Sequence, residues 1–111
     1  MAIQDLKQFF EELKTRIEGN PERAKKIGGI YGFEITGDQE GKYLVDLTKP
    51  VVSEGTSDGA TVTIKMSDET MLQILNRELN EMQAFTKGKL KVKGNPMAAL
   101  KLRDVLNPKG W

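Results

Sequence analysis

The stretch AFTKGKLKVKGNPMAALKL, residues 84–102, reads as a helix end, a strand and a helix start packed into one short run. Ala84 and Phe85 close an apolar helical face, and Gly88 can take the left-handed conformation that stops a helix. Lys89-Leu90-Lys91-Val92-Lys93 alternates charge and bulk with a period of two, the pattern of a half-buried strand. Gly94 permits a sharp turn, Asn95 suits an N-cap, and Pro96 suits the first helical position.

Upstream of this run the period is helical. Ser67 or Asp68 can cap a helix carrying Met71, Leu72, Ile74, Leu75 and Leu79, and Asn80 with Gln83 resembles a capping box opening another turn through Met82 and Phe85. Further back lie the strands. Tyr31, Phe33 and Ile35 oppose Gly32, Glu34 and Thr36; Gly37 to Gly41 reads as a hairpin turn leading to Tyr43, Val45 and Leu47. Pro50 introduces a short edge strand at Val51-Val52, residues 53–59 read as a turn, and Val62, Ile64 and Met66 alternate with Thr61, Thr63 and Lys65. At the start, Ile3, Leu6, Phe10, Leu13 and Ile17 form the buried stripe of an amphipathic helix, which Gly19-Asn20-Pro21 ends. Glu22 to Lys26 adds a short helical turn, and a last helix runs from Pro96 toward Leu106, where Asn107-Pro108 stops it. Each strand has one greasy and one wet face. The expectation is an α+β fold with a five-stranded, mainly antiparallel sheet covered on one face by about five helices.

Composition narrows the chemistry. At 111 residues the chain fits a single domain, 1–111, and 17 Lys plus Arg against 16 Asp plus Glu leave a net charge of +1. That balance exerts no long-range pull on nucleic acid, and the aromatic interleaving of single-strand binders is missing. Cysteine and histidine are absent, which removes disulfides, thiolate sites and the commonest general base and metal ligand. The carboxylate pairs Glu11-Glu12 and Asp68-Glu69 sit where a solvated helix face or helix start places them, so no nucleophile–base constellation can be assembled. Gly28-Gly29 and Gly32 precede a strand instead of following one, so the dinucleotide fingerprint fails and no cofactor is expected. The row Lys87, Lys89, Lys91, Lys93 fits the outer face of a one-sided sheet. No signal-peptide core or stretch of roughly 20 apolar residues is present, so a cytoplasmic domain is the expectation.

The GKLK strand running through GN into a helix with the Lys101-Leu102 pair resembles the sterol carrier protein type 2 family of small lipid-binding domains. The likeness extends along nearly the whole chain. Phe9 to Leu13 with Ile17-Glu18-Gly19 resembles that family's first helix, Lys26 to Phe33 its entry into the sheet, Leu44 to Leu47 its second strand, and Ala60 to Asp68 its strand-to-helix junction. Lys109-Gly110-Trp111 stands where several family members carry a peroxisomal address tripeptide, which argues against a peroxisomal destination.

The resemblance implies an apolar lipid tunnel between sheet and helices. Its lining would come from Phe33, Val45, Ile64, Met66, Met71, Ile74, Leu75, Met82, Phe85, Leu90, Met97, Leu100 and Leu106, all of which also suit a plain core. Flexible, polarisable methionines conform to ligands of variable shape. A carboxylate or phosphate headgroup needs a cationic or amide partner at the mouth, and Arg23, Lys25 and Lys26 are candidates, although a solvated linker is the simpler account of them. A dry void of about 300 Å³ would cost roughly 7 kcal/mol, comparable to the ~5–15 kcal/mol stability of a whole small domain. A tunnel therefore calls for a resident lipid or a collapsible empty state. The function implied is non-catalytic carriage of a fatty acid, fatty acyl-CoA, phospholipid or sterol, with transient contact at a membrane surface. The alternative is an accessory module that presents a lipid-like intermediate to a lipid-metabolising enzyme, favoured by an exposed apolar patch near Leu79, Phe85 or Trp111.

Overall fold

The computed structural model describes residues 3–94 and 101–106. Helix α1, Leu6–Glu18, starts at Asp5, whose carboxylate accepts the Gln8 amide, and buries Leu6, Phe9, Phe10, Leu13 and Ile17 along one stripe. Helix α2, Pro21–Ile27, is one residue longer at each end than the turn expected over Glu22 to Lys26, and Pro21 takes its first position. Strands β1, Ile30–Thr36, β2, Gly41–Asp46, β3, Val51–Glu54, and β4, Val62–Ser67, follow, then α3, Asp68–Leu75, α4, Glu81–Thr86, β5, Leu90–Gly94, and α5, Leu102–Leu106. Ser67 caps α3 through the Thr70 amide, and Asn80 with Gln83 forms both halves of the capping box that opens α4.

The sheet order is β3-β2-β1-β4-β5, with every pair antiparallel except β1 and β4, which run parallel. That pair corrects the reading of residues 53–59 as a plain turn. β3 runs in the same sense as β1 and β4, so the chain must return along the sheet before β4 can begin, and a hairpin cannot do this. Residues 55–61 make the return over the outer face, directly across β1. A Cβ on Gly32 would lie 2.9 Å from the Ser57 Cβ and 3.0 Å from the Ala60 Cβ, so only glycine lets the crossover pass there. The crossover thus covers the outer face at Gly32.

Two side-chain amides tie the start of the chain to this frame. Asn76 accepts the Ile3 amide at 2.6 Å and donates to the Ile3 carbonyl at 2.9 Å. Gln39 accepts the Leu6 amide at 2.8 Å and donates to the Gln4 carbonyl at 2.9 Å, while its own backbone N–H donates to the Asp68 carboxylate. These bonds satisfy backbone groups that α1 and the sheet leave over.

Candidate functional site

The inner face of the sheet is built by register. Phe33 lies between Tyr43 and Ile64, Tyr31 between Val45 and Val62, and Ile35 beside Met66, which in turn pairs with Leu90. Strand alternation puts all of these on one side, and each is buried. From α1, Phe10 stacks on Tyr43 with ring centroids 3.8 Å apart and tilts against Phe33 at 5.6 Å. Met71, Ile74 and Leu75 come from α3, and Leu102, Val105 and Leu106 from α5. All belong to one apolar cluster between the sheet and the helices.

Nine of the candidate lining residues therefore meet in that layer: Phe33, Val45, Ile64, Met66, Met71, Ile74, Leu75, Leu90 and Leu106. Met82 and Phe85 do not. They stand 53 % and 44 % exposed on α4, whose small Ala84 is the buried residue. The physical reason is length: α4 has 6 residues, and with Ala84 packed inward the helix has no second buried position for a large side chain. Met97 and Leu100 lie outside the described residues, as does Trp111; Leu79, the third member of the suggested patch, is buried. Leu102 and Val105, not among the residues expected to line a tunnel, join this layer. Their spacing with Leu106 along the last helix was the available signal.

Arg23, Lys25 and Lys26 are exposed on α2, and Lys25 and Lys26 occupy its last turn, where cations complement the helix dipole. Close by, the Lys101 Nζ donates to the Ile27 carbonyl at 3.3 Å, joining α2 to the approach of α5. Gly28 and Gly29, with φ of 70° and 95°, turn the chain from α2 into β1. The Tyr31 hydroxyl folds back to donate to the Gly28 carbonyl at 3.1 Å. A Cβ on Gly29 would lie 3.0 Å from that hydroxyl, which accounts for the glycine pair without a phosphate ligand.

Burial raises the Tyr31 hydroxyl above its ordinary range, and the Asp104 charge raises it further. Tyr43 is raised by burial, then by Glu54, Asp5 and Glu11. Both phenols stay neutral at physiological pH, and neither is a nucleophile. A cavity of about 430 Å³ opens beside Tyr43, lined by Gln4, Asp5, Lys7, Gln39, Glu40 and Glu54. Its wall is polar and already engaged: Asp5 caps α1, Gln39 pins the N-terminal segment, and Lys7 pairs with Glu54 at 3.8 Å. It does not suit an acyl chain. Among the described residues no group of His, Cys, Asp and Glu could hold a metal ion.

The described residues thus form a mixed sheet whose apolar inner face lies under the helices. The chain belongs to the SCP-2 sterol transfer family, whose model matches residues 10–107. It is 35 % identical over 106 residues to "Non-specific lipid-transfer protein-like 1" of Caenorhabditis elegans, covering 91 % of this chain and 89 % of the relative. It is 34 % identical over 102 residues to "Sterol carrier protein 2" of Bos taurus, covering 86 % of this chain but 19 % of that longer protein. The fold is similar to the solution structure of "palmitated SCP2L2" from Aedes aegypti, with a TM-score of 0.74 and 25 % identity over 94 % of this chain and 96 % of that one. The chain is a non-catalytic lipid-binding domain of this family.

Proposed function

We propose that the domain carries one lipid at a time, a fatty acid first among the candidates, seated between the inner face of the sheet and helices α3 and α5. The observation that carries this reading is the likeness to a palmitated relative across almost the entire chain. Supporting it, the layer between β4, β5, α3 and α5 is apolar, and Met66 and Met71 there can adjust to a chain of variable shape. The ligand would enter by reversible opening of the C-terminal helix and the Met71–Phe85 region. That movement would part Leu102, Val105 and Leu106 from the sheet and release the exposed Lys101 hydrogen bond to Ile27.

Burying an acyl chain gains about 0.8 kcal/mol per CH₂ against water and almost nothing against a bilayer. The domain should accordingly exchange lipid with membranes more readily than it retains lipid against them. Fatty acyl-CoA, phospholipid and sterol remain ligand classes to be ranked against fatty acid. Native mass spectrometry of the freshly purified protein with added palmitate should show a one-to-one complex. Met71→Trp, which fills the seat from α3, should abolish that complex while retaining the circular dichroism of the native domain. Absence of any lipid-bound species at saturating palmitate would remove the reading. A stoichiometric complex with an enzyme in place of lipid would favour the accessory-module alternative.

A further inference from the structure

We propose that the edge formed by α4 and β5 docks on an anionic lipid bilayer, with Met82 and Phe85 entering the headgroup boundary and the adjoining lysines facing lipid phosphates and carboxylates. The proposal rests on the carrier reading only in that a lipid carrier must visit bilayers.

Helix α4 is inverted relative to the needs of folding. Its two large apolar residues, three apart on one face, point to solvent, while Ala84 points inward. The chain then turns tightly. The Gly88 amide donates to the Phe85 carbonyl at 3.1 Å and the Lys89 amide to the Ala84 carbonyl at 2.9 Å, so Lys87 and Lys89 stand beside the exposed phenyl ring's helix turn. Lys91 and Lys93 continue the series along β5 on the outer face of the sheet, at the ~3.3 Å per residue of an extended strand.

Charge is segregated into this edge. Residues 81–94, which make α4 and β5, contain four lysines and one glutamate, a net +3 that leaves −2 on the remainder of a chain whose total is +1. Lysines on an edge strand also block strand-to-strand aggregation, and that alone could account for β5. Lys65, one strand inward, faces Lys91 in the β4–β5 register and has Glu34 on its β1 side, so a local charge partner accounts for it. Edge protection does not account for two exposed apolar side chains next to the same lysines. A fold that leaves them uncovered has another use for them.

The chemistry selects a bilayer over a protein partner. Lysine is depleted at protein–protein interfaces, whereas large apolar residues flanked by lysines make the interfacial pattern that binds anionic lipid.

Flotation with vesicles tests this directly. The native domain should partition onto vesicles of phosphatidylcholine with phosphatidylserine, much less onto phosphatidylcholine alone, and the binding should fall as salt is raised. The triple variant Lys87→Gln/Lys89→Gln/Lys91→Gln should lose roughly a hundredfold in partitioning, at about fivefold per lysine. Phe85→Ser should weaken binding to anionic vesicles while leaving its salt dependence in place. All these side chains are exposed, so the variants should fold, and palmitate occupancy in vesicle-free buffer should match the native domain. Equal partitioning of native and triple-lysine protein would overturn the proposal, as would a stoichiometric enzyme complex through these residues without vesicle binding. Vesicle binding without palmitate occupancy would uphold the docking edge and remove the carrier reading instead.

Discussion

Phe10 and Phe85 belong to helices beside the same sheet, yet the molecule treats them in opposite ways. Phe10 is buried on α1, stacked on Tyr43, touching Phe9 with ring centroids 5.4 Å apart and leaning on Phe33. Phe85 is exposed on α4, next to a run of lysines. The α1–β1–β2 region is a packed frame, closed by the Asn76 and Gln39 amides. The α4–β5 region is a working edge. Stability and surface function are therefore concentrated in different places, and substitutions can tell them apart.

Truncating the two phenylalanines is the strongest challenge to that division. Phe10→Ala should cost about 3–5 kcal/mol in urea unfolding, because it opens a cavity in a packed aromatic cluster. Phe85→Ala should change stability by no more than about 0.5 kcal/mol. Similar costs at the two positions would mean that α4 is packed as tightly as α1.

A finer contrast lies within the edge itself, between its two bounding glycines. Gly94 has φ of 113°, and a Cβ there would lie 2.6 Å from the Thr61 carbonyl oxygen; Gly88 has φ of 74° with no neighbouring atom within 4 Å. Gly94→Ala should cost about 3 kcal/mol, since it combines a strained backbone with a clash that drives β5 from β4. Gly88→Ala should cost only the left-handed backbone penalty, about 1–2 kcal/mol. Thermal unfolding of both variants orders the two effects, and the reverse order would show that β5 is loosely held.

The smallest effect belongs to the frame, at the β2–β3 turn. Burial pulls Asp46 upward, but the Thr48 hydroxyl, the Thr48 and Lys49 amides and the Lys49 charge outweigh it, so the carboxyl lies below its ordinary value. A folded-state value depressed below the unfolded one stabilises the protein above the unfolded value, about 4, and that contribution disappears as pH falls through the folded value. Asp46→Asn should therefore be less stable than the native domain at neutral pH, by about 0.5 kcal/mol or less. The gap should close on acidification below pH 4; a gap that widened in acid would contradict the assignment.

Much of this architecture was legible in residue order. Alternation in β1, β2, β4 and β5, the stripe on α1, the Asn80–Gln83 capping box and the positive φ of Gly88 all follow from local preferences that need no distant partner. The candidate site was legible only as a set of inward-facing positions. Nine of its residues could be gathered by periodicity, but periodicity gives a helix its stripe whether or not anything lies beneath it, which is why Met82 and Phe85 were grouped with the interior. The return crossover at 55–61 was hidden for a related reason. Glycine, serine and threonine mark a loop equally well whether it reverses direction or carries the chain back along a sheet.

Local chemistry thus determined the elements, their order, their caps, their greasy faces and the absence of any histidine or cysteine chemistry, because each depends on a few neighbouring residues. Tertiary structure alone decided that β1 and β4 run parallel, that Lys65 faces Lys91, that Asn76 and Gln39 hold the N-terminal segment, and that α4 turns its large side chains outward. Those outcomes depend on which distant segment arrives beside a residue, and packing between segments far apart in sequence sets that.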